Sequence, residues 1–561
     1  MDMNPAARSA VTGHNPVESP HQTRGSPLMP RHVILLLLVL TSVPGAVCHA
    51  AADDPHDAAV KRCTALKGLD LAEAPEAPAR ILEAAASKIA DDVPEVCMVD
   101  GYISPNTGFR IALPLEGWNG KYLQGGCGGA CGTTKLFWCE QPLRRGYACA
   151  STDMGHRSSI GDWNWAANDL ETKADFGFRA THLMAVVGKA LTKRYLGADP
   201  SHSYFMGCST GGRQALVEAE HFPWDFDGII AGAPPLDEIG TGFQLAWSVK
   251  ANLDDAGNPV LTESLVHLLH DAVVKACDLN DGLADGLIGD PRLCKFDIGT
   301  LACKGAADGA CLTATQIAAA KKIYSGPMDA RGRPVGRTGG AMLGSELFWL
   351  GDYVAGNGRQ PQYLPFIQNF IRFAAFDPAV GTAWELKDLD PAADSRRVGM
   401  NEFLFDATNP DLRSFKAAGG KLLGFQGWGD TSVVPMQYVD YYETVTRLMG
   451  GAKNTLDFYR FFTVPGMRHC SSDGAGGDMI DYLAALEDWV ERGSAPDVLI
   501  GSNFDWNGVP LRSPVFPIDR KRVRFTRPAY LYPAFAVYKG KGDPHEAGSF
   551  RRSTVGKPPA P

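Results

Sequence analysis

The chain has little that would tie it to a membrane, to nucleic acid or to a metal cluster. Its most apolar run, Val33-Ile34-Leu35-Leu36-Leu37-Leu38-Val39-Leu40, is far shorter than the roughly 20 residues a comfortable membrane-spanning helix needs. Positive charge is not in excess: the formal net charge is −9, which leaves no electrostatic footprint for nucleic acid or an anionic lipid surface. No Cys-x2-Cys pair supports a zinc site, and no internal repeat is found. What is present is 561 residues of ordinary globular composition, 45% hydrophobic and 21% charged, enough for a large core and for two or more domains.

Arg31-His32 precedes the apolar run, and small residues close it by Ala50. A basic start, a short apolar stretch and a small residue at the end read as a secretory signal, with Met29 as an alternative start. Residues 1–50 are therefore assigned to a leader and signal peptide. The mature protein is expected to be secreted or periplasmic, with no membrane association after cleavage. Of 13 cysteines, removal of Cys48 leaves an even set, which in an exported protein reads as disulfides. Cys63 with Cys97, Cys277 with Cys294 and Cys303 with Cys311 are expected pairs. The pairing among Cys127, Cys131, Cys139 and Cys149 stays open.

Helices are expected over 58–67, 79–89, 177–194, 436–449 and 479–491. Strands are expected over 109–114, 120–124, 147–153, 203–206, 226–235, 421–426 and 456–462. Their alternation argues for a mostly parallel α/β sheet. Over 236–410 strand periodicity fades into helical, aromatic, loop-rich sequence too long for a connection. The expected organisation is a core in two parts, 51–235 and 411–561, with an inserted lid domain at 236–410. The residues from about 540 onward are polar and Pro/Gly-rich and are expected to fray.

The chemistry centres on Gly207-Cys208-Ser209-Thr210-Gly211-Gly212-Arg213, which lies between a strand-like and a helix-like run. Strand, Gly-x-Ser-x-Gly, helix is the context of a nucleophile elbow, where the serine sits on a sharp turn and glycines let strand and helix approach. A serine nucleophile needs a base, and the base an orienting acid. In α/β-hydrolases these follow in the order Ser, Asp or Glu, His. Two expected strand ends supply them: Gly427-Trp428-Gly429-Asp430 and Pro465-Gly466-Met467-Arg468-His469-Cys470. Asp457 and Asp473 are alternative acids. His156 precedes the serine and is read as a loop-ordering histidine. Cys208 and Cys470 flank Ser209 and His469, so hydrogen bonding of serine to histidine would bring the two sulfurs together in a clamp. The loop 125–132, Gly125-Gly126-Cys127-Gly128-Gly129-Ala130-Cys131-Gly132, is a candidate oxyanion hole. In the insert, Asp278, Asp281 and Asp285 share one tight glycine-containing loop that suits calcium. It lacks the twelfth-position glutamate of an EF-hand, and a structural ion competes there with a simple acidic turn.

Together the elbow, the two strand-end motifs and the aspartate loop Cys277-Asp278-Leu279-Asn280-Asp281-Gly282-Leu283-Ala284-Asp285-Gly286, with Ser151-Thr152-Asp153-Met154-Gly155-His156, resemble the tannase/feruloyl esterase family over essentially the whole mature chain. Its members are secreted α/β-hydrolases that cleave esters of aromatic acids, among them mono(2-hydroxyethyl) terephthalate hydrolases. The resemblance implies a Ser209–His469–Asp430 triad, a Cys208–Cys470 disulfide, and an oxyanion hole from the N–H groups of Thr210 and a glycine near Gly129. It implies structural Ca2+ on Asp278, Asp281 and Asp285 and the backbone carbonyls of Leu283 and Leu287. It also implies that Arg372 meets a substrate carboxylate and Phe376 packs on the substrate ring; a structural Arg372 beside Asp377 is the alternative. One departure is visible: the glycine loop carries Cys127 and Cys131. The expected function is a secreted serine esterase acting on small aromatic ester substrates of the hydroxycinnamic, gallic or terephthalic type. A serine peptidase or a non-catalytic binding protein on the same fold is the alternative.

Overall fold

The computed structural model describes residues 54–554 apart from 72–73, 75, 307–308, 338, 357, 471–473 and 508–515. The expected leader at 1–50 and the alternative acid Asp473 lie outside the described residues. Ten strands form one sheet: β1 Asp70–Leu71, β2 Ala79–Ser87, β3 Val96–Ile103, β4 Thr107–Pro114, β5 Lys121–Gly125, β6 Ala148–Thr152, β7 His202–Cys208, β8 Gly228–Gly232, β9 Lys421–Gly427 and β10 Tyr459–Val464. Their order is β1-β2-β3-β4-β6-β5-β7-β8-β9-β10. Pairing is antiparallel from β1 through β6 and parallel from β6 to β10. The parallel part is the α/β sheet expected from the alternation. Its central strands are buried almost throughout, as in β8 Gly228-Ile229-Ile230-Ala231-Gly232, because helices cover both faces.

Three expectations are corrected. Residues 79–89 do not form a helix: Ala79–Ser87 is β2, paired antiparallel with β3 from Ala79↔Ile103 to Ser87↔Val96. Its alanines favour a helix locally, but cross-strand pairing with β3 and β1 decides, and tertiary context overrides propensity. The strand expected at 456–462 starts at Tyr459, which leaves Asp457 exposed in the preceding turn. The tail is ordered to Thr554. Strands β11 Val498–Phe504 and β12 Val523–Tyr530 pair with each other, as do β13 Ala534–Tyr538 and β14 Phe550–Thr554.

β8 and β9 are hydrogen-bonded neighbours, yet the chain leaves the sheet at Gly232 and returns at Lys421. The intervening chain carries the helices Glu238–Ala251, Glu263–Cys277, Ala314–Ser325 and Tyr363–Phe370. They bury their own apolar cluster, with Phe243, Leu269, Trp349 and Phe370, and this cluster also takes in Ala130, Cys131, Trp163 and Phe176. The insert therefore packs directly on the glycine loop and on the chain after β6.

Two residues of the helix Thr210–His221 tie that packing to the core. Arg213 is fully buried; its Nη1 donates to the carbonyls of Gly177 (2.8 Å) and Phe405 (3.1 Å), its Nη2 to that of Phe176 (2.9 Å), and Glu238 lies 3.5 Å away. Arg213→Ala strands three carbonyls and a buried carboxylate, so a destabilisation of about 3–5 kcal/mol is expected, read as a lowered urea midpoint. Glu220 accepts hydrogen bonds from the Tyr441 hydroxyl (2.9 Å) and the Asn409 N–H (3.3 Å), and burial pushes its carboxyl from 4.5 up to about 8. The folded chain thus keeps a proton that the unfolded chain releases, and this contribution to stability is lost as pH rises from about 4.5 through 8. Glu220→Gln should flatten that part of the stability profile, as measured by denaturant titration at pH 5, 7 and 9.

Candidate active site

β7 ends at Cys208 and the next residue turns sharply. Ser209 has φ 62° and ψ −131°, a left-handed backbone that a non-glycine residue adopts only when its surroundings impose it. Close packing imposes it here. A Cβ on Gly207 would sit 2.3 Å from the Gly211 carbonyl oxygen, and one on Gly212 2.1 Å from that of Gly232. The glycines let strand, turn and helix collapse onto one another, and the turn presents the Ser209 hydroxyl at the carboxyl end of the sheet.

The neighbouring strands deliver its partners to the same end. Cys208 pairs with Gly232, Gly232 with Phe425, and Gly427 with Val464, so the ends of β7 through β10 lie in one row. Asp430 follows β9 and His469 follows β10. His469 Nε2 is 2.7 Å from Ser209 Oγ and its Nδ1 is 2.8 Å from Asp430 Oδ2. Asp430 is fully buried. Its Oδ1 accepts the N–H groups of Ser432 and Val433, both at 2.9 Å, and its Oδ2 also accepts from Gln426 Nε2 at 3.0 Å. With these donors satisfied, the carboxylate faces the imidazole as an oriented acceptor. This arrangement suits proton transfer from the hydroxyl to the ring.

Cys208 and Cys470 are disulfide-bonded across 262 residues. The expected pairs Cys63–Cys97, Cys277–Cys294 and Cys303–Cys311 are also bonded, and the open set resolves as Cys127–Cys131 and Cys139–Cys149. The Cys127–Cys131 bridge closes the glycine loop on itself, and hydrogen bonds tie that loop to the elbow. There Thr210 Oγ1 donates to the Gly129 carbonyl (2.8 Å) and Gln214 Oε1 accepts the Cys127 N–H (3.2 Å). Among the described residues, the N–H groups of Thr210 and Gly129 donate to no protein group. His156 is no base: its ring bonds to the carbonyls of Ala130 (2.7 Å) and Met154 (3.2 Å) and stacks on Trp165, and burial lowers its basicity. It orders the loop.

Other expected site residues are held by protein partners. Phe376 is 1% exposed, with Phe243 and the Arg397 guanidinium on its ring, so protein already fills the packing role expected of it for substrate. Arg372 Nε donates to the Trp384 carbonyl (2.9 Å), not to Asp377. In the aspartate loop, Asp278 Oδ1 accepts the N–H of Asp285 (3.2 Å) and of Gly286 (3.0 Å), and Asp281 Oδ1 accepts that of Leu283 (3.1 Å). Asp285 Oδ1 accepts the Leu287 N–H (3.1 Å), and its Oδ2 pairs with Arg527 (2.6 Å). Burial, with Asp285 and Asp278 nearby, pushes the Asp281 carboxyl up to about 7. Among the described residues no three such side chains converge as a ready ligand group. The donors are those of a hard-cation loop, held here by its own N–H groups and by Arg527.

The family model for tannase and feruloyl esterase matches residues 92–553. The chain belongs to the tannase and feruloyl esterase family. With that family it is a carboxylic ester hydrolase on an α/β-hydrolase core. It is 33% identical to an uncharacterized esterase of Xanthomonas campestris pv. campestris over 532 residues, covering 86% of this chain and 89% of the other. It is 31% identical to the mono(2-hydroxyethyl) terephthalate hydrolase of Piscinibacter sakaiensis over 544 residues, covering 83% and 86%. The crystal structure of feruloyl esterase B from Aspergillus oryzae superposes with a TM-score of 0.75 at 25% identity, over 88% of this chain and 100% of the other.

Proposed function

We propose that the protein hydrolyses esters of aromatic acids, of the hydroxycinnamic, gallic or terephthalic type, through a Ser209–His469–Asp430 triad and an acyl-enzyme. The hydrogen-bonded chain from Ser209 Oγ through His469 to Asp430, in a chain of this family, carries the reading. His469 Nε2 takes the hydroxyl proton as Ser209 Oγ attacks the ester carbonyl. The N–H groups of Thr210 and Gly129 hold the oxyanion, and the protonated imidazole then hands its proton to the departing alcohol. Water, activated by the same imidazole, releases the aromatic acid. Arg372 is the basic residue of the insert assigned to a substrate carboxylate.

Export to an oxidising compartment, secreted or periplasmic, is part of the proposal. Six disulfides support it. Among the described residues no helix is long and apolar enough to cross a membrane. A structural Ca2+ on Asp278, Asp281 and Asp285 with the Leu283 and Leu287 carbonyls would neutralise the crowded carboxylates and brace the insert. Millimolar calcium should then raise Tm by several degrees and chelator should reverse it, with the shift lost in Asp278→Ala; differential scanning fluorimetry reads both.

A substrate panel tests the activity. Methyl ferulate, methyl gallate, a terephthalate monoester and a peptide of similar size are compared by kcat/KM. Hydrolysis of at least one aromatic ester well above the peptide is expected. Preference for the peptide, or no turnover of any aromatic ester, defeats the proposal.

A further inference from the structure

A buried carboxylate of the insert contacts both loops that carry Asp430 and His469. Asp352 is 1% exposed. Its Oδ2 accepts from Thr431 Oγ1 at 2.5 Å, and its Oδ1 accepts from Gln362 Nε2 at 2.6 Å and lies 3.6 Å from Arg468 Nη2. Thr431 directly follows Asp430, and Arg468 directly precedes His469. Two more groups of the insert close on the same backbone: the Tyr353 hydroxyl donates to the Thr431 carbonyl, and the Tyr363 hydroxyl bonds the Ser432 hydroxyl. That short segment supplies the N–H groups of Ser432 and Val433 that hold Asp430 Oδ1.

We propose that Asp352 is a positioning residue for the hydrolytic reaction, holding the acid-bearing and base-bearing loops in register through Thr431 and Arg468. The inference rests on the triad reading above. The sheet brings β9 and β10 side by side, but their loops extend past it, and hydrogen bonds between loop groups must set the approach of Asp430 to His469 Nδ1. A carboxylate hydrogen-bonded to one loop and ion-paired with the other, from a third element, constrains their separation. An error of about 1 Å in such a constellation costs about a hundredfold in rate. A carboxylate that merely filled the insert's interior would affect folding and leave the folded enzyme's rate alone.

The experiment compares Asp352→Ala, Thr431→Val, their double variant and Thr431→Ser. Readouts are kcat, KM, Tm and the rate at which a fluorophosphonate modifies Ser209. Asp352→Ala and Thr431→Val should each lower kcat about ten- to a hundredfold with KM within about threefold, and Ser209 modification should slow in parallel. The double variant should fall little below the worse single one, because both remove one shared bond. Thr431→Ser, which keeps the hydroxyl, should restore the rate. If Asp352→Ala does not fold, the Thr431→Val and Thr431→Ser pair decides. Wild-type rates of turnover and modification in folded Thr431→Val, or independent multiplicative effects in the double variant, overturn the inference alone. A wild-type enzyme left unmodified at Ser209 overturns the triad reading and this inference with it.

Discussion

Ser209→Ala is expected to lower kcat for ester hydrolysis by about 10⁴–10⁶ while far-UV and near-UV circular dichroism stay those of the wild type. In the proposed mechanism the Oγ is the atom that forms the covalent bond, and neither the imidazole nor a bound water reproduces its placement at the end of β7. The fold should survive because nothing structural depends on that hydroxyl; its partner is the partly buried His469. Alanine also accepts the strained backbone at φ 62° no worse than serine does. Active-site titration with an aromatic p-nitrophenyl ester checks it: a burst equal to the enzyme concentration in the wild type and none in the variant. A variant that keeps its burst would remove Ser209 from the reaction.

The second large effect concerns the Cys208–Cys470 disulfide. Replacing both cysteines by serine should lower kcat about a hundredfold and cost stability on the order of 5 kcal/mol. The kinetic part follows from position. One sulfur is covalently adjacent to the serine and the other to the histidine, so the bridge limits how far the Ser209 and His469 loops can separate. The thermodynamic part follows from the loop: releasing a cross-link spanning 262 residues restores a large chain entropy to the unfolded state. Mild reduction should reproduce the kinetic loss below the unfolding temperature, with thiol alkylation and mass spectrometry showing which bridge opened. Full activity in enzyme demonstrably reduced at these two positions would contradict the clamp.

The candidate site was more legible in the sequence than the fold around it. The glycines at 207, 211 and 212 announce a crowded turn because no other residue fits one, and Asp430 and His469 stand just past recognisable parallel strands. Local signals of this kind survive in one dimension. β2 and β3 were not legible for the opposite reason. The alanines of 79–87 carry no decisive period, and only pairing with the following strand makes them a strand. Asp352 left no signal at all: an aspartate in a helical, aromatic segment looks like any surface acid until Thr431 and Arg468 are seen against it. Phe376 shows the converse, since a residue named for substrate turned out to be filled in on all sides by protein.

By itself the sequence determined which candidate groups were available for chemistry and in what order along the chain, because the proposed nucleophile, base and acid are residue types placed at strand ends. It also determined that two cysteines stood beside the serine and the histidine. Tertiary structure alone decided which distant groups hold those atoms still. The bridges Cys127–Cys131 and Cys139–Cys149, the burial of Arg213 and the grip of Asp352 on two loops all depend on partners whose approach only the folded sheet and its insert produce. Hydrogen bonds and disulfides act over a few ångströms of space and are indifferent to separation along the chain.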